Sequence, residues 1–127
     1  MKKILLIGSF LLFLLGAILV YQNITYNDKK LHVVFCDVGQ GDAIFIRTSI
    51  GSDILIDGGP DDSVLNCLGK NMPFWDKTLE VLILTHPDAD HVTGLIDVVK
   101  RYEVIRFYTS KVEGKTDVYK LFLKNLQ

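Results

Sequence analysis

Six consecutive residues, His86-Pro87-Asp88-Ala89-Asp90-His91, bring two imidazoles and two carboxylates together. Imidazole nitrogen suits zinc, and carboxylate oxygen also accepts harder cations such as manganese. The loop is therefore a candidate site for one or two divalent metal ions, with His86, Asp88, Asp90 and His91 as ligands. Pro87 keeps His86 out of helical geometry. In extended backbone His86, Asp88 and Asp90 point to one side and His91 to the other. A curled loop would divide them between two neighbouring cations. The competing reading is that Asp90 merely caps the helix that follows.

Two other segments add acids to glycine turns. Asp57 ends an apolar stretch and is followed by Gly58-Gly59. A carboxylate there can orient a ligating histidine from behind, or it can simply be a turn aspartate. Asp37-Val38-Gly39-Gln40-Gly41-Asp42 holds two acids and an amide in one tight turn. Its glycines let backbone approach a ligand closely, which makes Gln40 and Asp42 candidates for a substrate loop. The alternative is an ordinary hairpin connection. Neither a G-x-G-x-x-G nor a G-K-S/T pattern is present, which excludes the dinucleotide and P-loop readings.

The elements that must position these residues follow from hydrophobic pattern. Residues 31–36, 43–48 and 53–57 read as strands separated by glycine-bearing turns. A helix is predicted over about 63–70. Residues 72–77 form a loop with the single tryptophan, Trp75. Residues 79–85 read as a continuous apolar strand of the kind buried on both faces. Val92, Leu95, Ile96 and Val99 mark an amphipathic helix directly after the histidine loop. Residues 104–110 read as a strand. Tyr119, Phe122, Leu123 and Leu126 mark a last helix, with Thr116 as its N-cap. Strands first, then alternating helix and strand, imply a layered α/β domain with helices packed on a sheet.

Residues 4–20 carry no charge and follow Lys2 and Lys3. The run is apolar on every side, unlike a surface helix. No small-residue cleavage pattern follows it, so an uncleaved anchor is expected rather than a removed signal. Tyr21 suits the membrane interface, and the leading lysines should stay cytoplasmic with the rest outside. The expected organisation is a single-pass cell-membrane anchor over 1–21, a polar linker over 22–30 and one extracytoplasmic domain over 31–127. A net charge of −1 gives no bulk argument for a nucleic-acid partner. Cys36 and Cys67 form no C-x-x-C pair, which argues against a zinc ribbon. They read first as small buried apolar residues; a disulfide is open to them outside the cytoplasm.

Phe35-Cys36-Asp37-Val38-Gly39-Gln40-Gly41-Asp42-Ala43, then Leu55-Ile56-Asp57-Gly58-Gly59-Pro60, then Leu84-Thr85-His86-Pro87-Asp88-Ala89-Asp90-His91 with Gly94-Leu95, resemble the metallo-β-lactamase-like domain of ComEC-type competence proteins. These are bacterial DNA-uptake membrane proteins. The resemblance spans residues 31–127. It implies the N-terminal half of an αββα sandwich, with His86 and Asp88 at one metal position, Asp90 and His91 at the other, and Asp57 behind them. It implies hydrolysis by a metal-activated water that depends on Asp90, with single-stranded DNA or another phosphodiester as substrate. Asp88 stands where the wider superfamily usually has a second histidine, as is common in the DNA-uptake branch.

The family also has ligands further along the chain, whereas this sequence has only His32, His86 and His91. Its last helix ends without a stop signal. A missing C-terminal half or a second chain is therefore expected to complete the fold, and the chain alone is expected to bind metal weakly and turn over little. Three functions compete: a phosphodiester hydrolase linked to DNA uptake, a non-catalytic membrane-tethered module, and a lactamase-like enzyme of another class such as an esterase. Gly39-Gln40-Gly41-Asp42 and Asp88 speak against the last, by resemblance.

Overall fold

A computed structural model describes residues 2–110 and 114–126. Helix α1 spans Lys2–Tyr26 and is long and apolar enough to cross a membrane; none of its apolar window is buried in the protein. It extends through residues 22–26, which the sequence assigns to a linker. That last turn is held from outside the helix: the Tyr26 hydroxyl donates to Lys70 O (3.1 Å), and Arg47 Nε donates to Tyr26 O (3.1 Å).

Beyond α1, strands β1 (His32–Phe35), β2 (Ile44–Arg47) and β3 (Asp53–Ile56) form an antiparallel meander. Helix α2 (Ser63–Asn71) follows, then β4 (Thr78–Leu79) and β5 (Val81–Leu84). Helix α3 covers Ala89–Val99, β6 Glu103–Val104, β7 Phe107–Thr109 and α4 Asp117–Asn125. The main sheet runs β1-β2-β3-β5-β7, with β3, β5 and β7 parallel. Parallel neighbours need crossovers, and α2 and α3 supply them. Strands β4 and β6 make a separate two-stranded parallel sheet.

Register places Val34, Phe45, Leu55, Leu82 and Phe107 in one row across all five strands. This row forms the core with Val64 and Leu68 of α2, Val92, Leu95 and Val98 of α3, and Phe122 of α4. The Thr116 hydroxyl accepts from Tyr119 N at 3.2 Å, the N-cap its sequence position predicts. The opposite face carries Ile46, Ile54 and Val81 in one row and Ile44, Ile56 and Ile83 in the next, all half-buried. At the margins of these rows Val33, Phe35 and Tyr108 are exposed.

Three expectations change. The apolar stretch 79–85 is not one strand buried on both faces. Leu79 joins the small sheet, Glu80 intervenes, and β5 alternates between half-buried and buried residues. Glu80 breaks the run because its carboxylate accepts the Asp53 backbone N–H at 2.6 Å. The stretch 104–110 is likewise split between β6 and β7. Cys36 and Cys67 are not free apolar fillers: they form a disulfide that ties the end of β1 to α2, with Cα atoms 5.6 Å apart.

Candidate metal centre

The site is built where β3 and β5 end side by side. Asp57 follows β3 directly and takes a left-handed backbone conformation, φ 57°. That conformation disfavours most side chains, and aspartate is among those that tolerate it. Here it turns a carboxylate into the protein, 2% exposed. Asp57 Oδ1 accepts from Thr85 N (2.8 Å). Its Oδ2 accepts from the Thr85 hydroxyl (2.5 Å) and is paired with His91 Nδ1 (2.9 Å). The Thr85 oxygen also lies 2.9 Å from His86 Nδ1.

Proton bookkeeping fixes the direction of this chain. The threonine hydroxyl has one hydrogen and gives it to Asp57, so its oxygen accepts from His86 Nδ1–H. An Asp57 carboxylate likewise draws a proton onto His91 Nδ1. Both rings then turn a bare Nε2 away from Asp57. His86 Nε2 lies 3.5 Å from Asp88 Oδ2, and His91 Nε2 lies 3.8 Å from Asp90 Oδ2. The ring centroids are 3.7 Å apart. His91 is buried, while the His86 side chain is 41% exposed and the Asp88 side chain 70%.

Asp57, His86 and His91 offer ligand atoms within 4.8 Å of one another. The Asp57 oxygens are already engaged by three donors, two from Thr85 and one from His91. The free donors are two nitrogens and the Asp88 and Asp90 carboxylates, a mixture that fits zinc or manganese. Hydrogen bonding of the far ring nitrogen is the usual means of fixing a ligating histidine. The donor set thus fits a divalent cation.

The loop is not extended. Helix α3 starts at Ala89, inside the motif, so His86 and His91 converge on one side instead of opposing each other. Asp88, not Asp90, holds the N-cap position, and its side chain makes no capping bond. Neither carboxylate caps the helix, and among the described residues both remain free for a ligand; the N-cap position falls to Asp88, not Asp90. His32, the third histidine, sits far off in the first strand with its Nε2 2.9 Å from Asp28 Oδ1. Thr85 escaped notice in the sequence; a hydroxyl immediately before His86, in an otherwise apolar strand, was the available clue.

The Asp37–Asp42 turn packs against this loop. A Cβ on Gly41 would collide with the Asp90 carbonyl oxygen, so only glycine permits the approach. Asp42 O accepts from Gly59 N at 3.0 Å, which joins the turn to the Asp57 turn. Gln40 lines a shallow open groove with Pro60, Ala89, Asp90 and Thr93. Asp42 is exposed and joins the assembly through its backbone.

Residues 36–115 match the family model of the metallo-beta-lactamase superfamily. No curated protein matches the chain.

Proposed function

The chain belongs to the metallo-beta-lactamase superfamily, and from that premise we propose a metal-dependent phosphodiester hydrolase, acting on single-stranded DNA at the outer face of the cell membrane. The observation that carries the reading is the paired imidazoles, each steered by Asp57 so that Nε2 faces Asp88 or Asp90. His86, Asp88, Asp90 and His91 would hold one or two zinc or manganese ions. When bound, such a cation supplies Lewis acidity, bringing the pKa of water toward neutrality and polarising a phosphoryl oxygen.

The protein's own contributions are positional. Asp57 and Thr85 set both rings before any ligand arrives. Asp90 sits in the first turn of α3, where helix amides favour an anionic phosphate. Gln40 offers an amide donor along the groove beside Asp90. The three linked motifs around Asp37–Asp42, Asp57 and His86–His91 support a place in DNA uptake resembling the ComEC-type proteins. Helix α1 serves as an uncleaved anchor with Lys2 and Lys3 on the cytoplasmic side. The Cys36–Cys67 disulfide supports an outward-facing domain, because such bonds persist in oxidising compartments.

A second reading, a membrane-tethered module without turnover, is favoured by one observation. The described site offers only two nitrogens and two free carboxylates, where a two-metal centre uses about three protein ligands per ion. Metal titration of the full chain in nanodiscs separates the two, followed by incubation with a single-stranded oligonucleotide and manganese or zinc. Cleavage that disappears in Asp90→Ala supports the hydrolase. Stoichiometric metal binding without cleavage points to a partner chain that supplies the rest of the catalytic site. Weak or absent binding without cleavage overturns the hydrolase and leaves the module.

A further inference from the structure

We propose that the loop between α2 and β4 is a second membrane contact, with Phe74 and Trp75 inserted into the interface of the bilayer that α1 spans. The proposal rests on α1 being a membrane span, as proposed above.

The charge-free run from Ile4 to Tyr21 extends about 27 Å at the helical rise, close to the roughly 30 Å hydrocarbon thickness of a bilayer. The hydrocarbon boundary therefore falls near Gln22. At that level the domain touches the helix: Phe74 N donates to Gln22 Oε1 at 3.3 Å. The two contacts at Tyr26 fix the helix on the same side of the domain. The loop is thus held at the height of the headgroups by bonds to the anchor itself.

Its chemistry suits that level. Phe74 is 55% exposed and Trp75 46%, their rings edge to face with centroids 4.9 Å apart. Phenylalanine adds apolar surface, and tryptophan favours the boundary between lipid and water. Tyr21, 67% exposed on α1, joins them. The one acid of the loop, Asp76, is drawn inward, where its carboxylate lies 3.5 Å from Arg47 Nη1 and accepts from Thr78 N. No carboxylate of the loop is left to face lipid phosphates, and Lys77 is exposed, its ammonium 5.0 Å from the centre of the Tyr102 ring. The consequence is orientation: two contacts fix the tilt of the domain, where one helix alone would let it swing.

Trp75 is the only tryptophan, so its fluorescence reports this loop. The full chain is placed in phosphatidylcholine vesicles containing lipid brominated high on its acyl chains, and retention after an alkaline wash is scored in parallel. The expected result is blue-shifted emission, strong quenching by the brominated lipid and protection from acrylamide. Phe74→Asp should lose the bromolipid quenching severalfold while the chain stays in the bilayer. A washed chain whose Trp75 stays open to acrylamide and unquenched by bromolipid overturns the proposal but leaves the anchor standing. Shielding from acrylamide without bromolipid quenching means that protein covers the loop, and also overturns it. Release by alkali overturns the anchor reading and this one together.

Discussion

Strand β3 carries a buried carboxylate at each end, and the surrounding chain treats the two in opposite ways. Asp57, just past the last residue, receives three donors and passes their influence outward through His86 and His91. Asp53, the first residue, meets the buried Arg47 guanidinium at 2.6 Å, and its Oδ1 has no partner among the described residues. Burial, with Asp76 and Glu80 nearby, pushes Asp53 up to about 7 against the pull of Arg47. About 13 Å of strand separates the two. The Asp57 end bears the candidate chemistry, the Asp37–Asp42 turn and the disulfide. The Asp53 end faces the helix that could cross a membrane, because Arg47 also holds the Tyr26 carbonyl. The contrast teaches that a buried acid becomes a positioning device when every one of its bonds has a donor, and a fastening under tension when one does not.

The sharpest way to break this comparison is Asp57→Ala. It leaves His91 Nδ1 unpaired in the interior and removes the acceptor of two part-buried Thr85 bonds, which should cost about 4 kcal/mol of stability, about 2 for the buried orphan and about 1 for each bond. Urea unfolding measures it; a loss below that at Asp53 would equate the two ends. Next comes the paired Cys36→Ser, Cys67→Ser variant. The bond closes a loop of sequence separation 31, and its removal should cost about 3.5 kcal/mol by the chain-entropy relation. Because Cys36 lies at the Asp57 end, histidine NMR signals should shift at His86 and His91 and stay put at His32.

Asp53→Asn should cost less, about 1–2 kcal/mol, since an amide oxygen still accepts from Arg47 and Asp76 remains near. Its signature is pH. A carboxyl at about 7 in the fold, against 3.8 for an ordinary aspartate, binds its proton more tightly folded than unfolded. Stability from this group is therefore full below about pH 4, falls as pH rises to about 7, and is level above that. Wild type minus variant, measured by urea unfolding across this range, should show that decline; a rise would reverse the assignment. The smallest stability effect belongs to Thr85→Val, about 1 kcal/mol. It severs His86 from Asp57 but spares His91, so metal affinity should fall about 10-fold, as read by competition with a chelating dye.

Much of the frame was legible from residue order. Apolar runs between glycine turns located the three strands of the meander, and the helical spacing from Val92 located α3. Asp57 could be tied to the histidine loop because both close apolar strands. Other features depend on distant partners. Nothing local reveals that Arg47 is buried, since its neutralising acids come from β3 and from the loop before β4. Glu80 lies inside the stretch that reads as a continuous apolar strand, and the Asp53 amide that its carboxylate closes belongs to a distant strand. The disulfide needed α2 to fold back over β1. The position of Thr85 before His86 marks it out in the sequence, but its bond to Asp57 depends on how β3 and β5 end side by side.

The seat of α3 has a consequence in time rather than in energy. Gly94 N donates out of the helix to Gly59 O (3.0 Å), and Gly58 N donates to His91 O (2.8 Å). A Cβ on Gly94 would strike the Gly58 carbonyl, so backbone rests directly on backbone. The Asp57 turn and the start of α3 cannot separate without breaking both bonds. Their amide hydrogens should then exchange with solvent only when the whole domain opens. The two imidazoles keep the same calendar as the core: they come together when the sheet closes, and they part only when it does.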